Sequence, residues 1–267
     1  MTKKKKFINR MADSPSSESA DNTQQTQKGW GALKQHVLEN KVKVAMWATR
    51  IFTMLFTIGY IIPFFGNPYN AYYKVLMASS ATSALRLHQR VPAVRFNFEF
   101  LHSLLLEDSC HYLLYSSIFL YVSPVTLVLV PVFLFAIIHS ASDSLTLLDT
   151  LGQNSCWQLR LLISFVEFQS RNILRLIALS EIIILPLAII LVFTGRAGLL
   201  TPFIYYQFLK MRLASRRNPY TRNIFHEIRN TLTSFSSRPS MPGILRYLIN
   251  GLLTISQQMT PPNPVQQ

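Results

Sequence analysis

Apolar positions along the 267 residues gather into long runs, separated by short polar punctuation and bounded by polar ends. Runs of this length suit helices immersed in lipid, where a continuous apolar surface is required, better than the alternating pattern of strands. Four membrane segments are expected, at about 45–65, 70–87, 112–141 and 177–194. The first is Ala45–Phe65, closed by Pro63, Gly66 and Pro68. The second is the most polar, because Ser79, Ser80, Thr82 and Ser83 follow its apolar start; its small residues would let another helix approach closely. The third is apolar for 30 residues, interrupted at Ser123-Pro124 and Pro131. As one straight helix it would be about 45 Å long against a hydrocarbon core of about 30 Å. One span kinked at proline is the expectation, with a hairpin folded back into one leaflet as the alternative. The fourth, Ile177–Thr194, is broken only by Ser180, Glu181 and Pro186.

The remaining pattern is weaker. Trp30, Leu33, Val37 and Leu38 suggest a short interfacial helix before the first span, within a membrane domain running from 29 to 195. Leu159, Leu162, Ile163, Val166 and Phe168 suggest a helix lying against the membrane or the bundle. Beyond the last span, residues 196–260 hold two segments with helical periodicity. In the first, Ile224, Phe225, Ile228, Leu232 and Phe235 share a face; in the second, Ile244, Leu245, Leu248 and Leu252 do. Neither is greasy enough to span, so both are expected to lie in the interface plane or to pack on the bundle. Residues 1–28 are polar and are expected to be a disordered tail, and 261–267 form a Pro-rich tail. The fold class is therefore all-α, a polytopic helical membrane protein with C-terminal interfacial amphipathic helices.

Charge fixes an orientation. The net charge of +14 sits largely before residue 44 and after Arg196. Tyrosines followed by Lys210, Arg212, Arg216, Arg217, Arg222 and Arg229 mark a basic exit at a membrane surface, where anionic lipid is the expected partner. Nine Lys/Arg against four acids precede Met46. Four segments place both termini and the loop around Arg86, Arg90 and Arg95 in the cytosol, leaving 142–175 lumenal. No apolar stretch follows the basic start, so no cleavable signal peptide is expected.

Candidate chemistry is sparse. Arg50 and Glu181 are charges inside predicted spans. The stem of Arg50 is long enough to snorkel, and Glu181 is placed to meet Arg175 or the headgroups. Glu107, Asp108, Cys110 and His111 form one polar patch, too few ligands for a metal and wrongly spaced on a helix for a Cys–His pair. With two cysteines, Cys110 and Cys156, and no C-x-x-C pair, neither a disulfide framework nor zinc is expected. No cofactor, nucleic acid or small-molecule substrate is implied.

Three strings, Thr82–Arg90, Leu105–Tyr115, and Pro202–Tyr206 followed by Ser215–Tyr220, resemble in order the transmembrane protein 33 family, also called Krüppel homolog two. The resemblance runs from about Leu38 to Met259. It implies residence in the endoplasmic reticulum and nuclear envelope, reticulon-type partners, and a nuclear pore association reaching pore components or transport receptors. It also implies roles in tubule shaping and stress signalling, without an enzyme activity. It carries three spans where the charge count favours four. The leading expectation is a non-enzymatic organiser of membrane. Its rivals are an ion or small-solute pathway through Arg50, Lys74 and Glu181, and a membrane enzyme built on the Glu107–His111 patch.

Overall fold

A computed structural model of the chain describes residues 29–62, 66–91, 100, 104–105, 107–152, 157–215, 219–238 and 241–259. The tails 1–28 and 261–267 fall outside these residues. No strand occurs among the described residues. In chain order the helices are α1 (Trp30–Glu39), α2 (Lys41–Ile61), α3 (Pro68–Arg90), α4 (Asp108–Phe119), α5 (Thr126–Leu151) and α6 (Trp157–Phe168), followed by α7 (Ser170–Phe193), α8 (Leu200–Ala214), α9 (Pro219–Ser236) and α10 (Gly243–Met259).

Three helices are long and apolar enough to cross a bilayer: α2, α5 and α7. The expected segment 70–87 is helical, as α3, but its Ser/Thr-rich second half keeps it out of that group. Its start is well determined. Pro68 occupies the first turn, where its missing N–H costs nothing, and the Asn67 side chain accepts the Tyr69 N–H at 2.9 Å.

The expected single span over 112–141 is not present. Helix α4 stops at Phe119, the chain turns through 120–125, and α5 starts at Thr126. Ser123-Pro124 lies in that turn, where proline favours an extended residue before it. Pro131, by contrast, is accommodated inside α5. The extra reversal has a consequence for orientation. The end of α5 returns to the start of α2: Arg50 pairs with Asp143, Trp47 Nε1 donates to Ser144 Oγ at 2.8 Å, and Gly29 N–H donates to the Thr150 carbonyl at 3.1 Å. Residues 142–151 and α6 therefore lie at the same end as the N-terminal helix, whereas the four-segment path expected 142–175 on the opposite side from the N-terminus.

Six passes result, with α2/α3, α4/α5 and α7/α8 each joined by a reversal. The three reversals meet at one end. Ser123 N–H donates to the Arg196 carbonyl at 3.1 Å, Arg196 Nη2 donates to the Pro124 carbonyl at 2.8 Å, and Tyr60 OH lies 3.1 Å from Thr126 Oγ1. Gly195, at φ 70°, takes the left-handed conformation that ends α7 and opens the third reversal.

The short helices fill the middle. At about 1.5 Å per residue, α4 is roughly 18 Å long and α8 roughly 22 Å, less than a hydrocarbon core. No residue of α4 is exposed. Tyr115 and Phe119 of α4 pack against Tyr205 and Phe208 of α8, with ring centroids 5.3 Å apart for Tyr115 and Phe208 and 5.6 Å for Phe119 and Tyr205. Tyr72, Val75 and Leu76 of α3 and Val128, Leu129 and Val132 of α5 complete this core. Phe52, Leu55, Ile58 and Ile61 of α2, and Ile183, Ile189, Ile190 and Phe193 of α7, point outward. Such an outer surface is what a bilayer solvates and water does not.

The path predicts a labelling pattern. In a chain with Cys110 and Cys156 replaced by serine, single cysteines at Lys34 and Trp157 should react with an impermeant maleimide from the same side of sealed vesicles. A cysteine at Tyr121, 90 % exposed in the second reversal, should react only from the other. Labelling of positions 34 and 157 from opposite sides would contradict the six-pass path.

Candidate functional site

The centre of the described bundle is a carboxylate. Glu181, on the apolar helix α7, has no exposed surface, and burying it is tolerable only if its charge is matched and its oxygens are satisfied. Arg212 on α8 supplies both. Its Nε lies 3.1 and 3.2 Å from the two carboxylate oxygens, and Nη2 faces Oε1 at 3.0 Å. Tyr112 OH of α4 donates to Oε1, and Thr221 Oγ1 of α9 donates to Oε2 at 3.1 Å. Even the Glu181 backbone carbonyl is used, accepting Tyr205 OH at 2.8 Å.

Arg212 is shared. Its Nη1 lies 3.3 Å from Asp108 Oδ1, which also accepts from Ser215 Oγ at 2.9 Å. The guanidinium sits over the rings of Tyr112 and Phe135, 5.2 and 6.0 Å from their centroids. Such faces stabilise a desolvated cation. Helices α4, α7, α8 and α9 thus converge on one charge cluster.

This arrangement corrects several expectations. Arg212 is not a membrane-surface residue: it is 1 % exposed. Glu181 meets Arg212 and not Arg175, which pairs with Glu227 of α9 at 2.9 Å. Arg50 does not snorkel; it is buried and its charge is taken up by Asp143. The other basic residues divide. Lys210 and Arg222 are exposed, Arg229 is half-buried, and Arg216 and Arg217 lie outside the described residues.

The apolar face of the C-terminal segments also divides. Ile224 and Phe225 are buried where α9 crosses α7, and Ile228 and Leu232 line a groove with Leu176 and Leu179. Their burial replaces the expected entry of Ile224 and Phe225 into lipid, because the Thr221–Glu181 bond and the Arg175–Glu227 pair draw the first half of α9 onto the bundle. Phe235, Ile244, Leu245 and Leu252 remain exposed. The side chain of Leu248 lies outside the described residues.

The Glu107–His111 patch is taken apart by its neighbours. Glu107 pairs with Arg90 at 2.7 Å, Asp108 serves Arg212, and His111 Nε2–H donates to the Leu105 carbonyl at 2.6 Å. At this first turn of α4, outside the three spanning helices, burial pushes the Cys110 thiol up and the His111 imidazole down. A raised thiol is the opposite of an activated nucleophile. Among the described residues no group of three His, Cys, Asp or Glu side chains is placed to hold a metal.

The pairing of Glu181 with Arg212 had a signal in the sequence. Glu181 lies thirteen residues before Thr194 and Arg212 thirteen after Leu199, so folding back at 194–199 sets them level.

Removing one partner should be costly. Arg212→Met leaves Glu181 and Asp108 without their common cation and should destabilise the bundle by about 3–5 kcal/mol. Adding Glu181→Gln to that variant should recover part of the loss. Thermal unfolding of the detergent-solubilised protein, followed by circular dichroism, measures both. No recovery in the double variant would show that the pair itself is not the source of the loss.

Comparison with known proteins matches these features to a family. A family model described as transmembrane protein 33/nucleoporin POM33 matches residues 25–262. The chain is 47% identical over 239 residues to Krueppel homolog 2 of Drosophila melanogaster, covering 89% of this chain and 87% of that protein. It is 40% identical over 247 residues to transmembrane protein 33 of Homo sapiens, covering 92% of this chain and 100% of that one. The Caenorhabditis elegans transmembrane protein 33 homolog is 38% identical over 236 residues, with 87% of each chain covered. No solved structure matches. A helical membrane bundle aligned along nearly its whole length with these relatives belongs to the transmembrane protein 33/nucleoporin POM33 family.

Proposed function

We propose that the protein is a non-enzymatic organiser of endoplasmic reticulum and nuclear envelope membrane, acting from the end of the bundle that carries its basic residues. One observation supports this reading above the others. Beyond the docked half of α9, large apolar side chains stand exposed, Phe235, Ile244, Leu245, Tyr247 and Leu252, with the exposed Arg238 over the Phe235 ring at 4.6 Å. A surface of that composition suits the headgroup–acyl boundary of a bilayer containing anionic lipid. It equally suits the apolar helices of another membrane protein. Reticulon-type proteins and pore components or transport receptors are the partners we propose for it. The basic residues favour placing this end, and with it both termini, in the cytosol.

The two other functional readings have less support. An ion pathway would use Arg50, Lys74 and Glu181, but Arg50 and Glu181 are held by opposite charges and hydrogen bonds, and Lys74 lies over the Phe56 ring at 5.7 Å. An enzyme would use the Glu107–His111 patch, whose groups are engaged with Arg90, Arg212 and Leu105.

The docked and open halves of the C-terminal face separate by mutation. Phe225→Glu buries an unpaired charge against α7 and should lower the stability of the bundle by about 3 kcal/mol or more. Ile244→Glu with Leu245→Glu should leave thermal unfolding within about 0.5 kcal/mol of the parent, as for exposed sites. The double variant should also lose membrane tubulation by the reconstituted full-length protein, read by electron microscopy of anionic vesicles. Full tubulation by the double variant would remove the support for this reading.

A further inference from the structure

At the basic end of the bundle, α2, α3, α4, α5 and α8 line a half-open cavity of about 310 Å³. It is walled by four arginines, Arg50, Arg86, Arg90 and Arg212, with Asp108 as the facing carboxylate. Three of the arginines are accounted for by acids. Arg50 has Asp143, Arg90 has Glu107, and Arg212 has Glu181 and Asp108, the last of these also held by Ser215. Arg86 has no carboxylate partner among the described residues. Among the described residues, its hydrogen-bond contact is a long one, 3.4 Å between Nη1 and His139 Nε2.

Beside it, Ser109 lines the same cavity. It is 5 % exposed, and its hydroxyl has no hydrogen-bond partner. Ser83, one turn before Arg86 on α3, also lines the cavity and is 8 % exposed. A buried hydroxyl without a partner, as at Ser109, and a half-buried guanidinium with one long contact are costly, and the cost is relieved when something with several acceptor oxygens enters.

We propose that this cavity binds a phosphate group, with Arg86 as its principal cationic partner and the Ser83 and Ser109 hydroxyls as further donors. Arg86, the wall arginine with no carboxylate against it among the described residues, disfavours a cation, and the unpartnered Ser109 hydroxyl disfavours an apolar occupant. Arginine is suited to the role because its planar fork donates two parallel hydrogen bonds to neighbouring phosphate oxygens. A tetrahedral anion also offers oxygens to donors on separate walls, here α3 and α4, where a planar carboxylate offers two in one plane. The occupant's phosphate belongs either to a lipid headgroup reaching in from the adjacent leaflet or to a soluble phosphate ester. This site is separate from the exposed Lys210 and Arg222, neither of which lines the cavity.

Titration calorimetry of the full-length protein in a non-ionic detergent tests the assignment with three probes: glycerol 3-phosphate, dioctanoyl phosphatidic acid, and dioctanoylglycerol as the phosphate-free control. Saturable one-site binding of a phosphate-bearing probe and none of dioctanoylglycerol is expected. Glycerol 3-phosphate binding as tightly as phosphatidic acid identifies a soluble ester as sufficient; binding of phosphatidic acid alone identifies the lipid. Arg86→Gln should weaken the binding at least tenfold, and Arg222→Gln should leave it unchanged. Ser109→Ala, which removes the hydroxyl with little change in residue volume and none in charge, should also weaken it and tells loss of the site from loss of net charge. No saturable binding of either phosphate probe overturns the proposal. Binding that both Arg86→Gln and Ser109→Ala leave within twofold overturns it as well.

Discussion

A single buried carboxylate sets the terms for the described bundle. Glu181 stands in an apolar helix with no water to neutralise its charge, so the surrounding helices must do it. Arg212 provides the opposite charge, Tyr112 and Thr221 the hydrogen bonds, and each comes from a different helix. Buried ion pairs often contribute little net stability compared with an apolar replacement, but they penalise wrong arrangements heavily. Here any slip of α8 against α7 leaves Glu181 charged and alone. The pair therefore acts as a register mark, fixing how α4, α8 and α9 sit on α7 more sharply than Leu and Ile contacts could.

Around that mark the bundle follows the logic of a lipid solvent. Apolar burial does not by itself drive helices together where the solvent is also apolar, so packing and polar contacts carry more of the specificity. The aromatic core of α4 and α8 supplies the packing. The hydroxyl bonds between helices, Thr82 to Thr49 at 2.8 Å and Ser116 to Ser79 at 3.2 Å, supply polar links between α2, α3 and α4. The Ser/Thr content that makes α3 too polar for the group of spanning helices is what lets it lie between α2 and α4.

The sequence made the helical class, the four greasy regions and the two C-terminal helices legible, because periodicity and hydropathy report on local surroundings. It left open whether the chain kinks or folds back at Ser123-Pro124, with one kinked span the expectation. Both outcomes place a proline in a long apolar run, and the choice is made by Tyr115 and Phe119 packing on α8, a contact remote in sequence. The reversal also brings 142–151 to the end that holds the N-terminal helix. Arg212 was misplaced for a related reason. A charge count treats every arginine after a span as surface, and only the level position of Glu181 across the 194–199 turn distinguishes it from Lys210 or Arg222. Ile224 and Phe225 were legible as an apolar face but not as to what covers it, since lipid and α7 select the same residues.

The three connections at the far end, 62–67, 120–125 and 194–199, are six residues each. The second and third are tied together through Arg196 and Pro124. Among the described residues, this end of the bundle carries only the short connections. A compartment bathing the three short connections has little to grip: no domain to modify, no loop long enough to wrap a ligand. Information about that compartment would have to arrive through the thickness or composition of the bilayer, felt by α2, α5 and α7. The opposite face holds the cavity, with Arg50, Arg86, Arg90 and Arg212, and the N-terminal helix α1. A protein so lopsided is built as a one-way mirror, open to inquiry from one compartment and nearly blank to the other.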